Sequence, residues 1–340
     1  MIRFQILART ETGGGPEGPP FFTNKFTDVG KMPKPFLTYE QQIHKLSVEK
    51  SLNITDAEKA RTALTNIGYF SLIGGYKSPF INPMTRIYEN TSFEDIYALF
   101  KFDQGLRELT FKYLCEVEQK IRQLISYSFC YQYGENQVHY LSPASYNLSK
   151  KNAKDVARLI SILDFHANKN TEHAYLVHQR KTYHNVPLWV VMNALTFGQT
   201  SKFYALLPFK LQSSISKSYS HINEKDLERY LKILTLFRNV CAHNERLYCF
   251  RLQIDFPDTV LHQKLHIPKK GTQYIQGKRD YFGLVIAFRY LLSKRSFMEY
   301  KSSLIHLINT YCKRSTRISK QELLTIIGFP ANWETIIRYN

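Results

Sequence analysis

The stretch NEKDLERYLKILTLFRNVCAH, residues 223–243, decides the fold of this chain. Apolar side chains recur in it at intervals of three or four residues: Leu227, Tyr230, Leu231, Leu234 and Phe237. Such intervals place side chains on one face of an α-helix, with the polar residues between them on the other face. The stretch therefore predicts an amphipathic helix whose apolar stripe packs against a core.

Helical patterns of the same kind run through most of the chain from Thr38 onward. Residues 93–133 carry apolar side chains at helical spacing and predict one or two long helices. Thr55 followed by Glu58 predicts a helix start, and Gly68 predicts its end. We find no convincing strand alternation and no internal repeat. These patterns predict an all-α fold, with a small N-terminal helical module and a larger bundle.

Composition and loop signals divide the chain into four parts. Residues 1–31 contain the run GGGPEGPP at positions 13–20, which cannot form a helix or a packed strand, so we expect a flexible extension there. We predict an N-terminal helical module over residues 32–90 and a larger helical domain over residues 91–314. A C-terminal helix with a tail is predicted over residues 315–340.

The charge of the chain points to a polyanionic partner. Its 340 residues include 46 Lys and Arg against 28 Asp and Glu, a formal net charge of +18. Nucleic acid is the common polyanion of the cytosol, and such a charge favours it as a partner. A basic, solvated surface without such a partner is the alternative that charge alone leaves open. Hydrophobic residues make up 44% of the chain, which is enough for a core and argues against global disorder.

The cysteines and apolar segments indicate the compartment and exclude some kinds of site. Five Cys are widely spaced and form no CxxC pair, which argues against a disulfide framework and a zinc cluster. The histidines show no metal-ligand spacing, so we expect neither a metal nor another cofactor. The N-terminus lacks a signal-peptide pattern, and the most apolar stretches, residues 186–197 and 284–292, are too short to span a bilayer. We therefore expect a cytoplasmic protein with no membrane partner.

Arg238 occupies an unusual position in the predicted helix. An ideal helix places it on the apolar stripe beside Leu231 and Leu234, where a guanidinium needs an acid, a phosphate or an open cleft. His243 follows five residues later, about 140° further round a regular helix. The two side chains meet only if the helix ends or distorts there, or if two copies of the chain face each other. One interpretation is that Arg238 pairs with a buried acid while Asn239 and His243 cap the helix.

The second interpretation is catalytic and requires RNA as the partner. RNA supplies its own nucleophile, the 2′-hydroxyl, so a metal-independent ribonuclease needs a group that moves protons and a cation that holds the phosphate. His243 is then the acid/base, because imidazole titrates near neutral pH. Arg238 holds the phosphate and stabilises its developing charge, and Asn239 orients the scissile group. The predicted products end in a 2′,3′-cyclic phosphate and a 5′-hydroxyl.

The residues around this site resemble a known family. The segment RNVCAHNERLY, residues 238–248, resembles the RNxxxH motif of HEPN domains, in the form found in Abi-like (AbiD/AbiF) abortive infection proteins of bacteria. Further blocks are similar to segments of the same family: KPFLTYEQQI at 34–43, IGYF at 67–70, YKSPF at 76–80, FDQGLR at 102–107, EVEQKIR at 116–122, PLW at 187–189, LTFG at 195–198 and IGFPANW at 327–333. The resemblance covers the chain from about residue 32 to its end.

This resemblance implies an all-α, HEPN-type helical bundle for residues 91–314. It implies a homodimer in which two facing motifs form one composite site, and phage defence by toxin-like RNA cleavage. A small structured RNA is expected to associate with the protein or hold it in check, as in a toxin–antitoxin pair. The alternative from another class is a catalytically silent RNA-binding or scaffold protein that uses the same basic cleft. An antitoxin-like inhibitor is disfavoured because the motif is intact.

Basic and aromatic residues outside the three catalytic candidates are the predicted RNA contacts. Lys and Arg next to Tyr or Phe bind the nucleic-acid backbone and stack unpaired bases. The residues assigned this role are Arg246, Tyr248, Arg122, Lys269, Lys270, Lys278, Arg279, Lys313, Arg314 and Arg317. Each basic cluster taken singly is more simply explained as solvated surface. Arg107 and Arg122 also lie near the acids Asp103, Glu116 and Glu118 on the same predicted helix. For both, a buried ion pair that supports the core competes with a role in lining the active cleft, and Arg122 has the better case for the cleft.

Overall fold

The structure is a computed structural model that describes residues 35–315 and 317–338. The predicted flexible extension, residues 1–31, lies outside the described residues. The chain from Tyr39 onward forms one unit, and its buried apolar side chains belong to one cluster that extends from Leu46 to Ile336. The predicted division of this unit at residues 90 and 314 stays a prediction.

Helices make up most of the described chain, which confirms the predicted all-α class. The α-helices are α1 (Tyr39–His44), α2 (Ala57–Ile67), α3 (Phe93–Tyr133), α4 (Gln137–Tyr140), α5 (Ala153–Asp164), α6 (Ala174–Tyr183), α7 (Leu188–Val191), α8 (Phe197–Leu206), α9 (Phe209–Ser216), α10 (Glu224–Ala242), α11 (Val260–Lys264), α12 (Tyr281–Leu291), α13 (Lys294–Arg314) and α14 (Lys320–Ile327). Shorter π-helical and 3-10 segments are Lys45–Glu49, Phe70–Gly74, Pro143–Ser145, Phe165–Lys169, Met192–Ala194 and Trp333–Arg338. Within the described residues, no helix has the length and apolarity of a membrane span.

A small hairpin interrupts the helices between α11 and α12. Strands β1 (Lys269–Lys270) and β2 (Gln273–Tyr274) pair antiparallel, with Lys269 opposite Tyr274. Gly271 lies between them with a φ of 62°, the left-handed conformation that glycine adopts without strain. Strands of two residues are too short to show alternation in the sequence, which is why the pattern predicts none there.

Helix α3 is the longest element, and much of the bundle packs around it. It begins with a capping box in which Ser92 and Asp95 exchange side-chain and backbone hydrogen bonds. It ends at Gly134, whose φ of 89° favours glycine. Its 41 residues form one continuous helix, about 60 Å long at a rise of 1.5 Å per residue. Helices α7, α8, α9, α10 and α13 contact it, so α3 spans the region where the sequence allowed one helix or two.

Helix α10 carries the candidate site and packs against α3, α8 and α9. It begins at Asn223, whose side chain accepts a hydrogen bond from the Asp226 N–H. The predicted apolar stripe is buried, as expected: Leu227, Tyr230, Leu231, Leu234 and Phe237. Burial of each such side chain contributes roughly 1.5–3 kcal/mol, so the stripe holds the helix and its C-terminal end in place.

The predicted end of α2 is confirmed, and its predicted start is wrong by one residue. Helix α2 ends at Gly68 as predicted, but its N-cap is Asp56, one residue after Thr55. The Asp56 carboxylate accepts from the Lys59 N–H, and a carboxylate satisfies a helix N-terminus as well as a hydroxyl does. Near the C-terminus, the Trp333 side chain is 1% exposed and belongs to the core cluster.

Candidate active site

The three predicted catalytic residues lie at the C-terminal end of α10. Asn239 and His243 are exposed, whereas Arg238 is half-buried. His243 is the C-cap residue, and its backbone N–H donates to the Asn239 carbonyl at 2.9 Å. Asn244 then turns the chain with a φ of 54°. Because the helix continues through Ala242, Arg238 and His243 leave it on different sides.

The Arg238 guanidinium packs against α3, and no acid in the described part of the chain forms an ion pair with it. Its Cζ lies 5.8 Å from the centre of the Phe111 ring, a cation–π contact. Its Nε is buried and has no hydrogen-bond partner among the described residues. Burial raises the pKa of Glu118, and the positive charge of Arg238 opposes that rise, yet within residues 35–315 and 317–338 no ion pair joins the two. A partly desolvated cation in this state is costly, and the predicted pairing with a buried acid is not observed.

Glu118 forms its ion pair with Arg122 and not with Arg238. The Arg122 guanidinium donates to Glu118 one turn earlier on α3 and to the carbonyl of Leu195. Burial raises the pKa of Glu118, and the charges of Arg122 and Arg238 oppose that rise. These contacts match the competing interpretation of Arg122 as a support of the core. They leave less of its guanidinium for RNA than the sequence prediction requires.

A buried carboxylate holds the chain just after the motif. Asp103 of α3 is fully buried and accepts from the backbone N–H of Tyr248 at 2.6 Å and of Leu247 at 3.1 Å. It also accepts from the Tyr76 hydroxyl at 2.6 Å and forms an ion pair with Arg107 at 2.6 Å. Burial raises the pKa of Asp103, and its donors, Tyr76 and Arg107 among them, lower it. These donors replace the water that the carboxylate loses on folding.

Arg107 and Tyr76 extend this network to the turn that follows α10. Arg107 Nη1 lies 3.1 Å from the Tyr76 hydroxyl and 3.4 Å from the Glu245 carbonyl, and it donates to both. The Tyr76 ring stacks on the Tyr248 ring, with centroids 5.6 Å apart and planes 20° apart. Hydrogen bonds to Asp103 and Arg107 therefore fix residues 245–248, the segment that follows α10, against α3.

Two open clefts flank this turn. One has a volume of about 500 Å³ and the other about 810 Å³, and Ser71, Phe100 and Asn244 belong to the walls of both. Arg246 lines the smaller cleft and donates to the Gly75 carbonyl at 3.1 Å. The walls of neither cleft include the three catalytic candidates. The motif therefore lies beside the clefts, on a more exposed surface.

Several predicted RNA contacts are occupied within the fold. Tyr248 is 2% exposed, so its ring does not face solvent and is not placed to stack on a base. Lys278 forms an ion pair with Asp258, and Arg279 forms one with Asp255. The Arg279 side chain is about half-exposed, and an exposed ion pair contributes only about 0–1 kcal/mol, so this cation remains compatible with a polyanion. The Lys278 side chain is only 12% exposed and also donates to the Phe256 carbonyl, so its ammonium is largely occupied within the fold. Their role in RNA binding stays a prediction, and that of Tyr248 loses its physical basis.

The other predicted RNA contacts lie on two separate surfaces. Lys269 and Lys270 are exposed on strand β1, while Lys313 and Arg314 are exposed at the end of α13, with Arg317 just beyond it. Their exposure leaves the predicted RNA-binding role untested. Across residues 35–315 and 317–338, no group of three His, Cys, Asp or Glu side chains is arranged to hold a metal ion.

The sequence interpretation left two roles open for Arg107 beside Asp103, a buried ion pair or a place in the cleft wall, and the ion pair is observed. It assigned no site role to Tyr76. A signal for the ion pair was present, since Asp103 and Arg107 lie four residues apart on the apolar face of α3, where charges need partners. The chain they hold lies 144 residues further along, at Leu247. A pattern in α3 alone cannot show that contact.

One family model matches the chain. It is described as Abi-like protein and covers residues 62–249, more than half of the sequence. The matched range includes α3, α10 and the whole network around Asp103. No curated protein and no solved structure matches the chain.

Proposed function

Because the chain belongs to the Abi-like protein family, we propose that it is an endoribonuclease of abortive-infection phage defence. Family membership supports the biological context, and the residues at the end of α10 support the reaction. The proposed enzyme is of the HEPN type, needs no metal and acts on RNA in the cytoplasm. A small structured RNA is the proposed partner that controls it.

One observation carries the reaction: Arg238 is half-buried, and no acid among the described residues pairs with it. Glu118, where this charge opposes the rise of the pKa on burial, is already engaged by Arg122. A partly desolvated cation of this kind favours an anion from outside the fold. A phosphate fits, because a guanidinium presents its donors in a fork that matches phosphate oxygens.

His243 and Asn239 supply the remaining groups. In the proposed reaction the 2′-hydroxyl loses its proton to an imidazole and attacks the adjacent phosphorus. The bond between the phosphorus and the 5′-oxygen breaks, and that oxygen takes up a proton from an imidazolium. The products are a 2′,3′-cyclic phosphate and a 5′-hydroxyl. Both side chains are exposed, so RNA reaches them without a change in the fold.

The proposal includes a homodimer because of the geometry of α10. Arg238 and His243 project from different sides of a helix that continues through Ala242. One chain therefore does not direct both side chains at the same phosphate. Two copies related by a two-fold axis place Arg238 of one opposite His243 of the other and complete the site.

An exposed aromatic surface favours a second candidate function, RNA binding without cleavage. Tyr127 and Tyr131 of α3 are 66% and 85% exposed, and their rings are nearly parallel with centroids 6.3 Å apart. Trp189 is half-exposed and shares a groove with them. Exposed aromatic rings stack on unpaired bases regardless of sequence. A scaffold that holds a structured RNA would use this surface and leave the motif silent.

Cleavage by matched histidine variants separates the two candidates. Purified wild-type chain, His243→Ala and His306→Ala are incubated with RNA in EDTA, and the ends of the products are analysed. His306 is an exposed histidine of α13, far along the chain from the motif, and serves as the control. We expect cleavage by wild type and His306→Ala, with cyclic phosphate ends, and loss of about 10²–10⁴-fold in His243→Ala.

RNA binding is measured on the same three proteins. If His243→Ala binds RNA like wild type but does not cut, the enzyme function stands. Equal cutting by His243→Ala and wild type contradicts the proposed chemistry. Binding by all three without cutting by any supports the scaffold function instead.

A further inference from the structure

A second polar pocket lies on the other side of α3 from the Glu118–Arg122 pair. It has a volume of about 330 Å³. Its polar wall is formed by Lys120, Ser218, Tyr219, Ser220, His221, Arg289 and Tyr290. Lys120 is two residues from both Glu118 and Arg122, about 160° away round the helix. The pocket is therefore separate from the surface that carries Arg238.

Lys120 is positioned at this pocket by an aromatic ring and a helix end. Its Nζ lies 4.2 Å from the centre of the Tyr219 ring and 3.5 Å from the Leu291 carbonyl at the end of α12. Burial lowers the pKa of Lys120, and the charge of Glu116 opposes that shift. No acid among the described residues lines the pocket or forms an ion pair with this lysine. Its ammonium therefore has donors left for a ligand.

The turn after α9 adds further donors. Ser218 and Ser220 are exposed, so their hydroxyls are accessible at the pocket wall. His221 closes the turn with a φ of 63°, a conformation that is uncommon for a non-glycine residue and often found at binding sites. Tyr219 is 4% exposed, and its hydroxyl has no hydrogen-bond partner in the part of the chain that the structure describes. A buried hydroxyl with no partner is available to form a hydrogen bond with a ligand in the pocket, which is an observation independent of Lys120.

A second cation comes from α12. Arg289 lines the same pocket, and its Cζ lies 5.7 Å from the Phe297 ring. One lysine, one arginine, one imidazole and four hydroxyls thus line one small space. A carboxylate offers two acceptor atoms and one charge, whereas a phosphoryl group offers three or more oxygens and up to two charges.

We propose that this pocket binds a phosphoryl group, either the phosphate of a mononucleotide or a backbone phosphate of RNA. Lys120 and Arg289 bind its charge, and the serine hydroxyls at residues 218 and 220 donate to its oxygens. The volume lies at the lower end of the range of small-ligand pockets, which fits a nucleotide or one unit of an RNA strand. The site is distinct from the motif and does not depend on cleavage.

Calorimetric titration of the full chain tests this site. The probes are inorganic phosphate, AMP and a single-stranded RNA oligonucleotide with a 5′-hydroxyl, all in the His243→Ala background so that RNA is not cut. Lys120→Gln removes one charge from the pocket, and Lys217→Gln removes one from the exposed neighbour outside it. We expect Lys120→Gln to weaken binding about tenfold, as for a lost charge-assisted hydrogen bond, and Lys217→Gln to have less than a twofold effect.

The three probes identify the source of the phosphate. Weaker binding of AMP and inorganic phosphate by Lys120→Gln identifies a nucleotide site, and weaker binding of the oligonucleotide alone identifies an RNA site. The doubly substituted Ser218→Ala, Ser220→Ala chain, which changes only exposed side chains, gives a second reading if Lys120→Gln fails to fold. Equal affinities of Lys120→Gln and its parent, equal losses in Lys120→Gln and Lys217→Gln, or no binding of any probe, overturn the proposal.

Discussion

Arg107, on α3, is buried and Arg238, which packs against α3 from α10, is half-buried, but the two differ in what surrounds them. Arg107 is 5% exposed and pairs with Asp103, and it donates to a tyrosine hydroxyl and a backbone carbonyl as well. Arg238 is half-buried, and a phenylalanine ring is its principal neighbour, with no acid paired to it among the described residues. The Nε atom of each lacks a hydrogen-bond partner among the described residues, so what separates the two arginines is the carboxylate that pairs with Arg107.

This difference in pairing indicates different roles for Arg107 and Arg238. The charge of Arg107 is compensated internally, so it holds the turn at residues 245–248 without needing a ligand. No ion pair among the described residues neutralises the charge of Arg238, although Glu118 lies near enough for that charge to act on its pKa. The fold therefore bears a cost that an incoming anion reduces. Function is expected at the residue whose local interactions are incomplete.

The largest effect on stability is expected from Asp103→Asn. The amide keeps the shape of the carboxylate but leaves the buried Arg107 without a counter-charge. Breaking a buried pair in this way costs about 3–5 kcal/mol in the free energy of unfolding. Denaturant unfolding measures it, with Glu299→Gln as the control, because Glu299 pairs with Arg295 on the exposed face of α13. A loss in Asp103→Asn no larger than in Glu299→Gln shows that the network does not stabilise the fold.

A pH-dependent effect of intermediate size is expected from Asp280, a buried carboxylate at the N-cap of α12. Burial raises its pKa to about 6, although the backbone N–H groups of Gly283 and Gly277 donate to it. The folded state therefore binds this proton more tightly than the unfolded state does. The contribution of this carboxyl is largest below its unfolded pKa and is lost as the pH rises through about 6.

The Asp280→Asn variant isolates this contribution because an amide does not titrate. We expect its free energy of unfolding, relative to wild type, to rise by roughly 1–3 kcal/mol between pH 4 and pH 7. Urea unfolding at several pH values measures the difference. A difference between the two proteins that does not change with pH means that Asp280 titrates normally.

The smallest of these effects is expected from Tyr76→Phe. The change removes one hydroxyl between Asp103 and Arg107 but keeps the ring that stacks on Tyr248. The remaining donors still serve the carboxylate, so the loss should be about 1–2 kcal/mol. Tyr127→Phe, at an exposed tyrosine of α3, is the matched control and should change stability by less than about 0.5 kcal/mol. If Tyr76→Phe and Tyr127→Phe have the same free energy of unfolding, the Tyr76 hydroxyl does not stabilise the fold.

Much of the helical fold was predictable from local patterns. The apolar stripe of α10 repeats regularly enough to place Leu231 and Leu234 in the core, and the same stripe marked Arg238 as an anomaly. Helix ends were less certain, because Thr55 and Asp56 are both good N-caps and only the three-dimensional path selects Asp56.

The surroundings of the site were not predictable from the sequence. Phe111 meets Arg238 only because α3 and α10 cross. Asp103 meets the turn at Tyr248 only through tertiary packing, and that packing buries the tyrosine that the motif suggested as an RNA contact. Patterns within one helix report which face is apolar, but they do not report which distant backbone fills a given position.

The central claim is that Arg238 is held for a phosphate and not for the fold. Arg238→Gln tests it most directly, with single-turnover RNA cleavage and denaturant unfolding measured on the same preparation. We predict that cleavage falls about 10²–10³-fold while the free energy of unfolding changes by less than about 1 kcal/mol or increases. Wild-type cleavage by Arg238→Gln, or a loss of stability comparable to that of Asp103→Asn, contradicts the claim.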